Sequence, residues 1–489
     1  MQKEKSFKAS VGQDFIYMTL LMLASVIAVY KSPSFVRDAF FLVPLYLAFK
    51  SKKDYFWFAY FFLLLQTPVY FFVTKTQADL FRLPFYTIAN GLSFTVSDLF
   101  LFISLYKAYR STEIRQFFFS KPLGFFIYYI IFLSIPISVV IGVDFASFMN
   151  SLRSFFYYGF IFSFVKLIKD PKDIVLFGYL LAPFCVGELV DQFHYLVTEK
   201  HLIQLMESKI EIKKHLASVS GGIRILPSAL MVMFYTIIFG GQIQGNKKYE
   251  LFRGLGGILM LIVFLSFVLS NTRAWITMAG VAIILFNVLS GSLIKTVFQS
   301  SILIFVLLSI VFYYGWIDAK FLEGVLERYS VVFDIIGGGT EGLNDYRNLD
   351  TFGDRINNDI PRVLEAASVS PVIGVGLSRV YFENYSSDVG FVNTILTYGY
   401  VGFFLFLGMF LKLIYKLNKE RKKINRFNHL EVRLLTSVFV AFSAIIVGYI
   451  TTWDFFTFFP WKIFTVALLL GIADNVYSLN SNRLSESTE

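Results

Sequence analysis

The chain has 489 residues, of which 56% are hydrophobic, 19% aromatic and only 16% charged. A soluble domain carries about 25% charged residues, and this chain gathers its apolar residues into runs long enough to cross a bilayer, so a soluble globular protein is excluded. The net charge of +10 reads as positive-inside loops rather than as a surface for nucleic acid, and no nucleic-acid partner is expected.

The predicted elements are helical spans near 14–30, 35–50, 55–73, 92–108, 123–142, 151–168, 173–190, 226–242, 254–270, 274–290, 294–313, 389–411, 434–452 and 459–477. The second is short and opens on Arg37 and Asp38. The first, beginning at Phe15, has no small-residue cleavage site after Tyr30 and is read as a span rather than a signal peptide. The expected fold is an all-α polytopic membrane protein of about 14 transmembrane helices. Residues 1–313 hold eleven spans and an outer loop at 191–225, residues 314–388 form a large extracytoplasmic loop, 389–478 hold three more spans, and 479–489 are a tail.

Orientation follows from lysine and arginine. With the N-terminus inside, 26 of the 44 Lys and Arg fall on the inner side, and most of the rest fall in the two long outer loops, where the charge rule carries little weight. Both termini are then cytoplasmic and both long loops are outside. Within the loops, 201–219 mixes Lys, Glu, Ile and Leu at helical spacing and suits a surface helix. The Gly-, Asn- and Asp-rich stretch 337–354 has the composition of a loop.

Candidate chemistry gathers on the outer side. From Gly254 to Ile294, Arg273 in "SNTRAWITMAG" is the only charged residue, and it lies at an outer turn where positive-inside anchoring does not apply. Arg224 in "GGIRILPSAL" stands just before a span, behind two glycines that permit close backbone approach. In "TFGDRINNDIPRVLEAASVSPVIGVGL", residues 351–377, Arg355, Asp359 and Arg362 share a face if 354–369 is one helix; if Pro361 instead opens a shorter helix, that face is lost. Asp388 and Asn393 stand at the mouth of the next span. Arginine presents a rigid fork of donors suited to phosphate oxygens, so Arg224, Arg273 and Arg355 from three outer elements suit a lipid-linked pyrophosphate. The acids Asp98, Glu188, Asp191 and Asp454, with Lys462, lie near outer span ends, where caps and ion pairs are as good an account as function. The many Phe and Tyr residues are expected at lipid-facing and interfacial positions, with Tyr381 and Tyr385 exposed enough to meet sugar rings.

Several signals are absent. There is no phosphate-binding loop for a nucleotide, no Asp-x-Asp pair for a divalent metal, and no nucleophile elbow. Cys185 is the lone cysteine, and His194, His201, His215 and His429 have no metal-ligand spacing, so no metal and no cofactor are expected. A substrate of this chain, if it is an enzyme, carries its own activation as a pyrophosphate leaving group does.

Three of these stretches carry a family resemblance. "LSNTRAWITMAG", "RILPSAL" and "PRVLEAASVSPVIGVGL" resemble the span opening, the loop end and the loop signature of the bacterial O-antigen polymerase and O-antigen ligase superfamily, over roughly 220–405. The resemblance implies a glycosyltransferase of the metal-independent, polyprenyl-phosphate-using membrane class (GT-C-like), acting on the outer face of the bacterial cytoplasmic (inner) membrane. Its substrate would be an undecaprenyl-pyrophosphate-linked oligosaccharide, with a chain-length regulator and a flippase as partners. Arg224 and Arg273 would inherit the phosphate-binding roles, with Arg355 as a further loop arginine. Ligases carry a His-Asn pair before the span that follows the large loop. Here the same place reads "SSDVGFVN", residues 386–393, which favours a polymerase and leaves Asp388 as the nearest proton acceptor.

Overall fold

The computed structural model describes residues 2–66, 86–89, 92–141, 145–198, 355–378, 389–423, 429–449 and 460–486, with isolated residues between 278 and 289, at 381 and 384–387, and at 456. In chain order the first helices are α1 (Gln2–Lys31), α2 (Ser34–Lys50) and α3 (Asp54–Gln66). A short antiparallel hairpin follows, β1 (Tyr86–Ala89) and β2 (Leu92–Phe94), which leads into α4 (Val96–Arg110). Helix α5 (Lys121–Tyr129) passes through a π-helical turn at Ile130–Ser134 into α6 (Ile135–Val140). Then come α7 (Phe145–Phe156), α8 (Gly159–Leu167), α9 (Pro171–Thr198), α10 (Ile360–Ala367), α11 (Gly390–Arg421), α12 (His429–Tyr449) and α13 (Pro460–Glu486).

The described residues are mostly helical, as expected, with the small hairpin as the departure. Lys121–Val140, Gly390–Arg421, Leu430–Tyr449 and Lys462–Ser481 are long and apolar enough to cross a membrane. The predicted runs 226–242, 254–270 and 294–313, the surface helix at 201–219 and the loop at 337–354 lie outside the described residues. Two predicted spans have different bounds. The run 92–108 starts as a strand, and its helix begins only at Val96. The run 151–168 is broken at Tyr157 and Tyr158, between α7 and α8.

Local chemistry sets these boundaries. Asp98 sits in the first turn of α4, not deep within a span. Its carboxylate accepts the Thr95 N–H at 2.6 Å, and the Asp98 N–H donates to the Thr95 hydroxyl at 3.3 Å. This reciprocal cap satisfies amide groups that the helix itself leaves unpaired and puts a negative charge at the positive end of the helix dipole.

Helix α13 is almost wholly buried and packs against α8 and α12. Its polar residues fasten two other segments. Asp474 accepts the N–H groups of Phe118, Phe119 and Ser120 at 2.8, 2.6 and 3.1 Å, and Ser478 accepts that of Gln116 at 2.9 Å. Asn475 donates to the Val165 and Ile168 carbonyls at the end of α8, at 3.2 and 2.7 Å. The extended segment before α5 and the last turn of α8 are thus both closed by one stripe of α13.

The aromatic residues do more than face lipid. Phe61 stacks on Phe100 with centroids 4.1 Å apart, and Phe160 on Phe464 at 4.0 Å, joining α3, α4, α8 and α13. Phe58, Phe61, Phe62, Phe160 and Phe164 are fully buried. Offset and edge-on ring pairs contribute about 0.5–1.5 kcal/mol each beyond their buried area, and here they act between helices. The expectation of mainly lipid-facing and interfacial rings is corrected to that extent. Phe125, Tyr128 and Phe132 on the α5–α6 face remain exposed.

Segments that the sequence places on one side of the membrane meet at one end of the bundle. Lys53 pairs with Asp14 at 2.7 Å, and the Tyr55 hydroxyl donates to the same carboxylate. Lys107 pairs with Asp54 and donates to the Ala48 and Ser51 carbonyls. Lys166 donates to the Glu113 carbonyl, and the Glu113 carboxylate pairs with Arg115 at 3.3 Å and Lys169 at 3.6 Å. Burial pushes the Arg115 guanidinium below its usual value, with Glu113 opposing, so this end is packed rather than bathed in solvent.

Replacing Asp474 by Ala strips three buried N–H groups of their acceptor. The expected loss is about 3 kcal/mol or more. It would be read as a lowered melting temperature of the detergent-solubilised protein, and an unchanged value would refute the fastening role.

Candidate functional site

The opposite end is organised by a break in α11. Gly399 adopts φ 67° and ψ −175° inside that helix. In an unbroken helix the Tyr400 and Val401 N–H groups would donate to the Leu396 and Thr397 carbonyls. Here the turn 371–377 is inserted instead. Val375 and Gly376 donate to the Leu396 and Thr397 carbonyls, each at 2.9 Å, while Tyr400 and Val401 donate to the Pro371 and Val372 carbonyls at 2.9 and 3.1 Å. Two helical bonds are lost and four loop bonds replace them, so the Leu396 and Thr397 carbonyls and the Tyr400 and Val401 N–H groups all keep a partner.

Only glycine fits this junction. Gly374 and Gly376 have φ of 74° and 71°, and a Cβ at Gly399 would lie 2.4 Å from the Val372 carbonyl. The Leu377 N–H donates to the Ser138 hydroxyl at 2.7 Å, and the Tyr129 hydroxyl donates to the Tyr398 carbonyl at 2.6 Å, pinning turn and break against α5 and α6. The sequence stretch "PVIGVGL" is therefore a plug seated in a helix, not a free turn back to the membrane. The signal was present in "LTYGYVGFF", where Gly399 stands among β-branched and aromatic residues. A lone glycine in an apolar run does not announce a break.

Around the plug stand several predicted site residues. Pro361 opens the short helix α10, so the one-helix alternative for 354–369 is not adopted; Arg355–Asp359 form a π-helical turn ahead of it. A π-helical turn does not keep the 3.6-residue period on which a shared face for Arg355 and Arg362 depended. The Arg355 side chain lies outside the described residues. Arg362 is half exposed, pairs with Asp359 at 3.2 Å and reaches the Ser386 carbonyl at 3.4 Å. An exposed pair of this kind contributes about 0.2–1 kcal/mol, so its effect is to orient the guanidinium across the gap between α10 and residue 386.

Asn393 is buried, and its amide is committed. It accepts the Ser387 N–H at 2.9 Å and donates to the Ser387 carbonyl at 2.7 Å. The Ser387 hydroxyl accepts the Val389 N–H at 2.9 Å. The backbone on both sides of Asp388 is thereby held, while Asp388 itself lies outside the described residues, as do Arg224 and Arg273. Five residues after Arg273, Met278 is buried against α12, where a Cβ at Gly448 would lie 2.3 Å from its sulfur. The neighbouring Tyr449 hydroxyl lies 3.0 Å from the Thr394 hydroxyl on α11. Tyr381 and Tyr385 form a tilted pair with centroids 5.7 Å apart.

Sequence reading passed over Arg153. It lies on α7, just before the break at Tyr157, with its Nε 3.8 Å from the Asp98 carboxylate. The Tyr157 hydroxyl hydrogen-bonds to Thr95 and Asp98. Arg153, Asp98 and Tyr157 are all buried, so this group joins α4, α7 and α8 and presents nothing to a ligand. The available signal was an arginine in an apolar run, which calls for an acid on a neighbouring helix.

No protein-family model matches the chain, and no curated protein matches it.

Gly399→Ala is expected to unseat the plug. A left-handed non-glycine residue costs about 1–3 kcal/mol before the clash is counted. Limited proteolysis should then cut within 371–377, while Gly408→Ala, where an added Cβ meets nothing within 4 Å, leaves the pattern of the parent protein. Equal protection in both variants would contradict the seated plug.

Proposed function

We propose that the chain is a polysaccharide repeat-unit polymerase, making O-antigen, capsule or exopolysaccharide in the cell envelope. It moves a glycan from undecaprenyl pyrophosphate to the next lipid-linked repeat unit on the outer face of the bacterial cytoplasmic membrane. In this reading about fourteen spans in a GT-C-like arrangement keep both termini cytoplasmic. The observation that carries it is the seat of the loop signature. The motif 371–377, which resembles that of the polymerase and ligase superfamily, is bonded into α11 beside the segment that bears Asp388.

The acceptor sugar hydroxyl attacks the anomeric carbon of the donor. The bond from that carbon to the pyrophosphate oxygen breaks, and undecaprenyl pyrophosphate leaves with the electron pair. Arg224, Arg273 and Arg355 hold the pyrophosphate and stabilise the charge that grows on it. Asp388 takes the acceptor proton or orients the hydroxyl. Asn393 acts through the backbone by fixing Ser387, and Arg362, oriented by Asp359, ties α10 to the same segment through the Ser386 carbonyl. Met278 against Gly448 supports a place for the Arg273 span next to α12.

The absence of a histidine at 386–393 favours polymerase over ligase. The broken helix α11 favours a second reading, a lipid-linked oligosaccharide transporter, because such breaks line transport sites. Here, however, the freed backbone groups bond to the chain's own loop rather than facing a cavity.

Purified protein given undecaprenyl-pyrophosphate-linked repeat units, EDTA and no nucleotide should yield a ladder of polymer on a gel. Arg273→Ala should reach the membrane and yield none. Long polymer from that variant would remove Arg273 from the centre of the reaction. Transfer only after lipid A-core is added would mean a ligase, and no transfer with competent substrates would favour transport.

A further inference from the structure

The end of the bundle far from the plug carries a group of lysines with an unusual setting. Lys412 and Lys416 are one turn apart on α11, and α11 packs against α5, whose first residue is Lys121. Lys416 donates to the Phe118 carbonyl at 2.8 Å, and its ammonium lies 4.1 Å from the Phe118 ring centre. That ring is itself stacked on Tyr477 at 4.5 Å, and its peptide N–H is held by Asp474. Lys412 lies 5.9 Å from the ring of Phe125, one turn along α5 from Lys121. The charges of Lys412 and Lys121 both act against that of Lys416, so the three form one positive site.

Among the described residues none of the three has a carboxylate within 4 Å, unlike Lys53, Lys107, Lys169, Lys172 and Lys423; Lys50, Lys52, Lys419 and Lys422 share that lack, and the setting of Lys121, Lys412 and Lys416 differs in its packing on Phe118 and Phe125. Asp474, which acts on Lys416 from below, is buried and committed to three backbone N–H groups. The surrounding surface is apolar, with Phe125, Tyr128, Leu411 and Tyr415 between 61% and 69% exposed. A positive cluster anchored at Lys416 on the rim of an exposed apolar face suits one ligand class, an anion that carries its own hydrocarbon.

We propose that Lys121, Lys412 and Lys416 bind the phosphate headgroup of an anionic phospholipid in the leaflet at this end of the protein. The ammonium groups take the phosphate oxygens, and the exposed rings lie along the acyl chains. Mutual repulsion of the lysines is relieved by the ligand rather than by the protein. The proposal rests on the membrane reading and is independent of the polymerase reading.

The test uses the full-length protein, delipidated in detergent and titrated with phosphatidylglycerol or phosphatidylcholine of the same acyl chains, with bound lipid counted by native mass spectrometry. The parent protein should prefer phosphatidylglycerol. Lys121→Gln with Lys412→Gln, both exposed and free of the Phe118 contact, should weaken the tightest phosphatidylglycerol site about tenfold and leave phosphatidylcholine unchanged. Lys50→Gln with Lys52→Gln removes the same charge elsewhere at this end and should change it by less than about twofold. No preference in the parent protein, an equal loss in the Lys50 and Lys52 variant, or displacement of the lipid by equimolar inorganic phosphate would overturn the proposal.

Discussion

A backbone N–H or C=O left unpaired in hydrocarbon costs several kcal/mol, and that constraint organises both ends of this molecule. At several departures from continuous helix among the described residues, a distant part of the chain supplies the missing bonds. At Gly399 the replacement is backbone, from the turn 371–377. Before α5 and after α8 it is side chain, from Asp474, Ser478 and Asn475 on α13. Residues distant in sequence are thereby made obligatory neighbours, because neither partner is stable without the other.

The two solutions have different consequences. The α13 stripe joins buried side chains to fixed backbone and makes a rigid frame, reinforced by the stacked rings of Phe61, Phe100, Phe160 and Phe464. The Gly399 junction instead brings a loop into the bundle and packs its Val375 with Val392 and Leu396, in the turns of α11 that include Asn393. A site assembled from outer loops needs such an anchor, because loops alone do not hold side chains to the tolerance that catalysis or tight binding demands.

Charge is handled in the same way. Buried Asp98 uses one oxygen, Oδ2, both for the cap of α4 and for Arg153, and Tyr157 bonds to the same carboxylate. Lys53, Lys107, Lys169, Lys172 and Lys423 at the far end are matched by acids. Among the lysines without an acid partner, Lys121, Lys412 and Lys416 border an exposed apolar surface, so part of the imbalance lies where the lipid begins.

The sequence by itself determined that the chain carries helices of membrane-crossing length and, among the described residues, most helix positions and the segments that share one end, because run length, lysine placement and caps act locally or through the bilayer. It also picked out "PVIGVGL" as special and Pro361 as a helix opener, since glycine and proline act on their own backbone. Only the tertiary structure decided where that motif goes, that Asn393 is spent on Ser387, and that Arg153 meets Asp98. Those outcomes depend on partners up to tens of residues or several helices away. A buried amide, carbonyl or guanidinium states only that it needs a partner, and packing chooses which one.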